Sequence, residues 1–280
     1  MGGPTAEDMK DIQGFVISGY AHLPCVSYLL LRVNDHLAAR GWLEELLKEI
    51  TTSEGKELIS CLNVAITHHG LIRLGVDAET LDTFSRPFIE GMATPHRSRI
   101  LGDADKSAPA NWDWGSNMEA ADMEADEKAV DILLLLFGKD EPTLDQLVKE
   151  HRTRLEQRGL ILQHALGAGR QPDIHEHFGF ADGMGQPAIE GTIQTRDAAA
   201  RNVIKAGEIL LGYVNDYGKP ADSPSVSAAL DPTHALPDLG PANRDLGRNG
   251  TYLVFRQLAQ DVRKFCLFLD EATRTLVRQT

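Results

Sequence analysis

Residues 132–165 read ILLLLFGKDEPTLDQLVKEHRTRLEQRGLILQHA, and their patterning decides the fold. Ile132 to Phe137 is a short continuous apolar run, which reads as a buried strand. From Thr143 to Gln157 the period changes: Leu144, Leu147, Val148, His151 and Leu155 fall on one helical face, with Thr143 as the expected N-cap. Leu160 to Ala165 returns as a strand. Working outward towards the N-terminus, Ser27 to Val33 (SYLLLRV) is a strand, and His36 to Ile50 carries a helical stripe through Leu37, Trp42, Leu43 and Leu46. Cys61 to Thr67 (CLNVAIT) is a further strand running into a short helix over His68 to Leu74. The order is β-α-β-β-α-β, the split pattern of a ferredoxin-like α+β sandwich with an antiparallel sheet. Its middle connection, 75–128, is rich in charge, proline and glycine. A connection that long inside a compact unit tends to be functional or to hold structure of its own.

Beyond this unit lies a loop region from Gly167 to Ala206, then Glu208 to Val214 (EILLGYV), an expected strand. Lys219 to Asn243 is loop-like, Thr251 to Gln257 (TYLVFRQ) an expected strand, and Leu258 to Thr275 an expected helix. The pair Ser27-Tyr-Leu-Leu-Leu-Arg-Val and Thr251-Tyr-Leu-Val-Phe-Arg-Gln, each followed by an amphipathic helix, suggests an internal duplication. Short apolar strands also resemble one another without common origin. The division expected is therefore 1–168 as a ferredoxin-like module with its insert at 75–128, and 169–280 as a glycine-rich segment plus the start of a second such module. One strand and one helix do not complete a sheet. The expectation is a chain cut short, or one completed by another polypeptide.

Bulk composition narrows the function class. The 280 residues include 41 acidic and 28 basic side chains, a formal charge of −13, which argues against nucleic acid or an anionic membrane as partner. Cys25, Cys61 and Cys266 are few, scattered and odd in number, so free thiols and a reducing, cytoplasmic setting are expected. No export signal is visible at the N-terminus, and no apolar stretch is long enough to span a bilayer.

Glu176 to Thr192 reads EHFGFADGMGQPAIEGT. Glycine at this density serves turns or a close backbone approach to a ligand, and Asp182 sits among them as a carboxylate on a tight turn. From the residues alone this is a simple Asp-Gly turn or a site. A calcium loop fails because the alternating oxygen ligands are absent.

Gly179-Phe180-Ala181-Asp182-Gly183 matches the GxxDG motif of the dye-decolourising peroxidases, and Gln186-Pro187 also fits. Arg97 to Trp114, Gly207 to Gly218 and Asp245 to Gln257 look like the same family, so the resemblance covers nearly the whole chain. It implies a pair of ferredoxin-like modules, haem b as cofactor, hydrogen peroxide as oxidant, and dyes or other electron-rich small molecules as substrates. Asp182 would be the catalytic acid–base group that moves the peroxide proton from one oxygen to the other. Gly183, Met184 and Gly185 would pass their backbone beside the porphyrin, with Phe180 as apolar wall. A carboxylate with a pKa of about 4 works as a base in mild acid, so an acid pH optimum is expected.

The chain departs from the family in one respect. The family's iron-binding histidine, in a segment of the type histidine, apolar residue, two arginines, has no counterpart here, and neither does its distal arginine. His36, His69 and His96 have arginines nearby at the wrong spacing, so the iron ligand is left unassigned. His175 and His177 could chelate a metal as an alternating pair or simply line a loop. His68-His69 reads as a helix-start surface pair and His234 as solvated. Trp112, Trp114, Tyr213 and Tyr217 are nameable surface relays for electrons, or ordinary packing residues. The competing functions are a truncated, haem-free and inactive fragment, a chain whose haem site a partner completes, and a ferredoxin-like small-molecule binder. A homo-oligomer is compatible with each.

Overall fold

The computed structural model of the protein describes residues 2–54, 58–116, 128–169, 175–181, 186–192 and 202–279. A single helical turn, α1 (Gly14–Ile17), precedes β1 (Cys25–Val33), α2 (His36–Leu46) and β2 (Ser60–Ile66). α3 (His68–Arg73) follows, and the described part of the insert holds α4 (Ala78–Leu81), α5 (Arg86–Glu90) and α6 (Pro95–Leu101). β3 (Ile132–Gly138), α7 (Glu141–Leu155) and β4 (Leu160–Gly169) close the unit.

The sheet order is β2-β3-β1-β4, with every neighbouring pair antiparallel, as the split β-α-β-β-α-β reading requires. β1 and β3 are the inner strands. One face carries Leu29, Leu31, Leu62, Leu134 and Leu136, and on it pack α2 through Trp42 and Leu46 and α7 through Leu144 and Leu155. The other face carries Leu30, Leu133, Leu135 and Phe137, covered by Tyr20, Leu23, Phe15 and Phe255. Cover on both faces explains why β3 is apolar at every position rather than alternating, and each of its residues is buried.

Local chemistry sets the helix boundaries. Asp35 caps α2 by accepting from the Leu37 and Ala38 amides. For α7 the cap is Asp140, which accepts from both the amide and the hydroxyl of Thr143, so the expected Thr143 cap is corrected by three residues. Asp wins because Pro142 fits the first helical turn, where its missing N–H costs nothing. The outer edge of β2 is covered by side chains. Gln13 donates to the Val64 carbonyl at 2.9 Å and accepts from its amide at 2.9 Å, while Thr51 accepts from the Leu62 amide.

The downstream half differs from the expectation. Glu208 to Val214 is no strand: a 3-10 turn at Ala206–Glu208 leads into a tight turn at Gly212, φ 80°, whose carbonyl accepts from Arg248. Leu210 and Tyr213 of this run are buried with Ile12, Ile17 and Ile189, so its hydrophobicity serves loop packing. Small pairs β5 (Ala188–Ile189) with β6 (Val203–Ile204), and β7 (Ser225–Ser227) with β8 (Asn243–Asp245), are the remaining sheet. Thr251–Gln257, the other expected strand, forms no strand and no ladder with any described strand. The final helix, α8, runs Val262–Gln279 rather than from Leu258.

Candidate functional site

Gly179 opens the glycine-rich motif with φ 88°, a conformation that side-chain-bearing residues avoid. Its amide donates to the Glu176 carbonyl, the Glu176 amide donates to the Phe180 carbonyl, and His175 bridges Ala181. The segment is a small hairpin whose last described residue is Ala181. Asp182, Gly183, Met184 and Gly185, the expected acid–base group and its glycine cradle, lie outside the described residues.

Phe180 is described, and 60% of it is exposed. It meets Phe265 of α8 edge-on at 6.1 Å, and Phe178 packs on the same ring at 4.6 Å. The motif is thus moored to the C-terminal helix by three phenylalanines. Nothing in local spacing pairs Phe265 with Phe178 and Phe180. His175 and His177 are both exposed on the hairpin. Among the described residues no three His, Cys, Asp or Glu side chains converge as a metal site.

The insert holds the segment that follows. The Tyr252 hydroxyl accepts from the Ser85 amide, and its ring lies on Phe88 at 5.3 Å. Phe255 fits between Tyr28 of β1 at 5.0 Å and Trp114 at 5.7 Å. Arg256 makes a 2.6 Å ion pair with the buried Asp103 and lies over Trp112. Trp112 and Trp114 are half-buried parts of this clamp, donating to Ser107 and Gln257. Tyr213 is no surface aromatic: it is 2% exposed, with the Arg248 guanidinium 3.8 Å above its ring. Tyr217 is exposed.

One histidine is placed differently from the sequence reading. His69 is buried, its Nδ1 2.6 Å from Asp131, rather than part of a surface pair. Asp131 is wholly buried and also accepts from the Val33 amide at 2.7 Å, with Arg73 at 3.6 Å. His151 is buried on the inner face of α7 with Leu144 and Leu155, and burial pushes its pKa below the usual imidazole value. His234 is exposed, as expected, with the Arg244 guanidinium 3.0 Å from its Nδ1.

The described residues by themselves do not seat a tetrapyrrole. They offer an aromatic wall at Phe180 but no converging ligand set. A shallow cavity of about 350 Å³ is lined by Glu49, Ile50, Thr51, Thr52, Glu54, Leu58 and Ser60, a mixed polar and apolar set with no histidine or cysteine to hold a haem iron.

No protein-family model matches the chain. It is 29% identical over 275 residues to a dye-decolorizing peroxidase of Mycena epipterygia, covering 95% of this chain and 44% of that protein. Among solved structures, an ancestral D-type dye decolorizing peroxidase superposes with a TM-score of 0.61 at 24% identity, over 77% of this chain and 46% of that one. A dye-decolorizing peroxidase in complex with 2,6-dimethoxyphenol superposes at 0.57 with 21% identity, over 75% and 45% respectively. These likenesses show a shared fold. Over nearly all of its own length the chain is similar to the dye-decolorizing peroxidases, and it spans about half the length of the curated relatives it matches.

Proposed function

We propose that the chain works in haem-dependent reduction of hydrogen peroxide, oxidising dyes or other electron-rich small molecules, with Asp182 as the acid–base group. The observation that carries this reading is the alignment of 95% of the chain with a peroxidase, together with the GxxDG motif within it. The phenol bound to a solved neighbour is an electron-rich molecule of the same class. Haem b would supply the redox iron. Asp182 would accept a proton from one peroxide oxygen and return it to the other, and Phe180, Gly183, Met184 and Gly185 would border the macrocycle.

A second reading is favoured by the C-terminal segment. Leu253, Val254 and Leu258 are exposed, as are Leu267, Phe268 and Leu269 of α8. Among the described residues no backbone hydrogen bond joins residues 252–257 to another segment. A partner polypeptide would complete the haem site on that surface, and without it the chain would be haem-free and inactive. A homo-oligomer, the division at 168/169 and a cytoplasmic location, the last on three free cysteines, belong to the same proposal. No helix among the described residues is long and apolar enough to cross a membrane.

The test is optical. Haem titrated into the purified chain is expected to give a Soret band and peroxide-dependent bleaching of a dye. A Soret band without bleaching defeats the peroxidase reading. Absence of both supports the second reading.

A further inference from the structure

The chain between β7 and β8 makes a long excursion and is drawn shut at its base by one buried side chain. Arg244 of β8 is 7% exposed, and its guanidinium faces three loop groups. Nη1 pairs with Asp238 at 2.8 Å, Nε lies 3.7 Å from Asp231, and Nη2 is 3.0 Å from Nδ1 of His234. Asp231 in turn accepts from the amides of Ala235 at 2.9 Å and Leu236 at 3.1 Å, so the cluster fixes the loop backbone.

A guanidinium carries only donors and stays charged at any ordinary pH. The His234–Arg244 bond therefore exists only if Nδ1 of His234 is unprotonated and accepts. The structure assigns His234 the neutral tautomer with its proton on Nε2. Protonation of Nδ1 turns the acceptor into a donor and sets two cations face to face. The carboxylates of Asp231 and Asp238, already committed to Arg244 and to the loop amides, are the other charged groups in the cluster. Leaving Arg244 is the way for the ring to charge.

We infer that the β7–β8 loop is a pH-sensitive strap, tightest while His234 accepts from Arg244 and loosened when protonation breaks that bond, the Asp238 ion pair and the Asp231–amide bonds remaining. An imidazole changes charge between about pH 5 and 8, where no other common side chain does so unperturbed. This inference is independent of the peroxidase reading.

Hydrogen exchange of the full chain from pH 5 to 8, corrected for intrinsic rates, tests it on peptides spanning residues 229–243. Loss of a charged hydrogen bond predicts a fall in protection of about tenfold across the histidine range. Peptides from β1 and β3 serve as an internal reference for global opening. In His234→Asn the Oδ1 atom accepts from Arg244 at every pH, and asparagine tolerates the φ of 53° found here, so protection stays flat. Protection that is unchanged in the native chain, or that falls equally in His234→Asn, overturns the inference.

Discussion

At the scale of single residues, the Asp131 carboxylate holds more of the molecule together than its apolar surroundings suggest. It is fully buried and shared by the Val33 amide, His69 and Arg73, tying the start of β3 to the end of β1 and to the first insert helix. Removing it takes the acceptor from the Val33 amide and from His69 in a buried site, and the opposing charge from the half-buried Arg73. Asp131→Ala is expected to cost about 3–5 kcal/mol in urea unfolding, against about 0.5 kcal/mol or less for the exposed Glu79→Ala. His151 sets a pH dependence. Burial depresses its pKa, opposed by the Glu49 carboxylate, so the fold favours the neutral ring. A depressed histidine contributes stability that is whole above the unfolded value near 6.5 and is lost as pH falls below it. Thermal melts from pH 8 to 5 are expected to show declining Tm in the native chain and a smaller decline in His151→Gln. A flat native profile would contradict the assignment.

At the scale of elements, the edge of the four-stranded sheet is the part most open to test. Gln13 satisfies both backbone groups of Val64 and also accepts from Asn63 at 3.1 Å, standing in for a missing strand. Gln13→Ala is expected to cost about 1–3 kcal/mol and to raise concentration-dependent association through the freed edge, read by sedimentation. The first unit was legible because short continuous apolar runs are separated by helical stripes of period 3.6: ILLLLF and SYLLLRV became the inner strands β3 and β1. EILLGYV misled because its hydrophobicity is set by loop packing of Leu210 and Tyr213, which period counting cannot separate from a strand. TYLVFRQ is no strand here: its side chains contact the insert, through Ser85, Phe88, Asp103 and Trp114, over sequence distances that no local rule spans. Of the site, the motif was plain and its mooring by Phe265 was not, for the same reason.

For the whole molecule, acid chemistry and acid stability pull against each other. The proposed base would work best in mild acid, where the contribution of the buried His151 is being lost. Asp8 resists longer. Burial raises its pKa, but hydrogen bonds from Thr5 and Tyr213 and the Arg248 charge outweigh that and bring it down to about 2. Its contribution is whole above the unfolded value of 3.8 and is lost only between there and about pH 2. Activity is therefore expected to fall on the acid side by unfolding, with the loss tracking intrinsic fluorescence. Above this stands the question of what the chain does. The deciding measurement is the rate of peroxide-driven dye bleaching by haem-loaded native chain and by Asp182→Ala across pH. The native chain is predicted to be faster by about 10²–10⁴-fold, with an acid inflection absent from the variant. Equal rates and the same inflection in both would contradict the role given to Asp182.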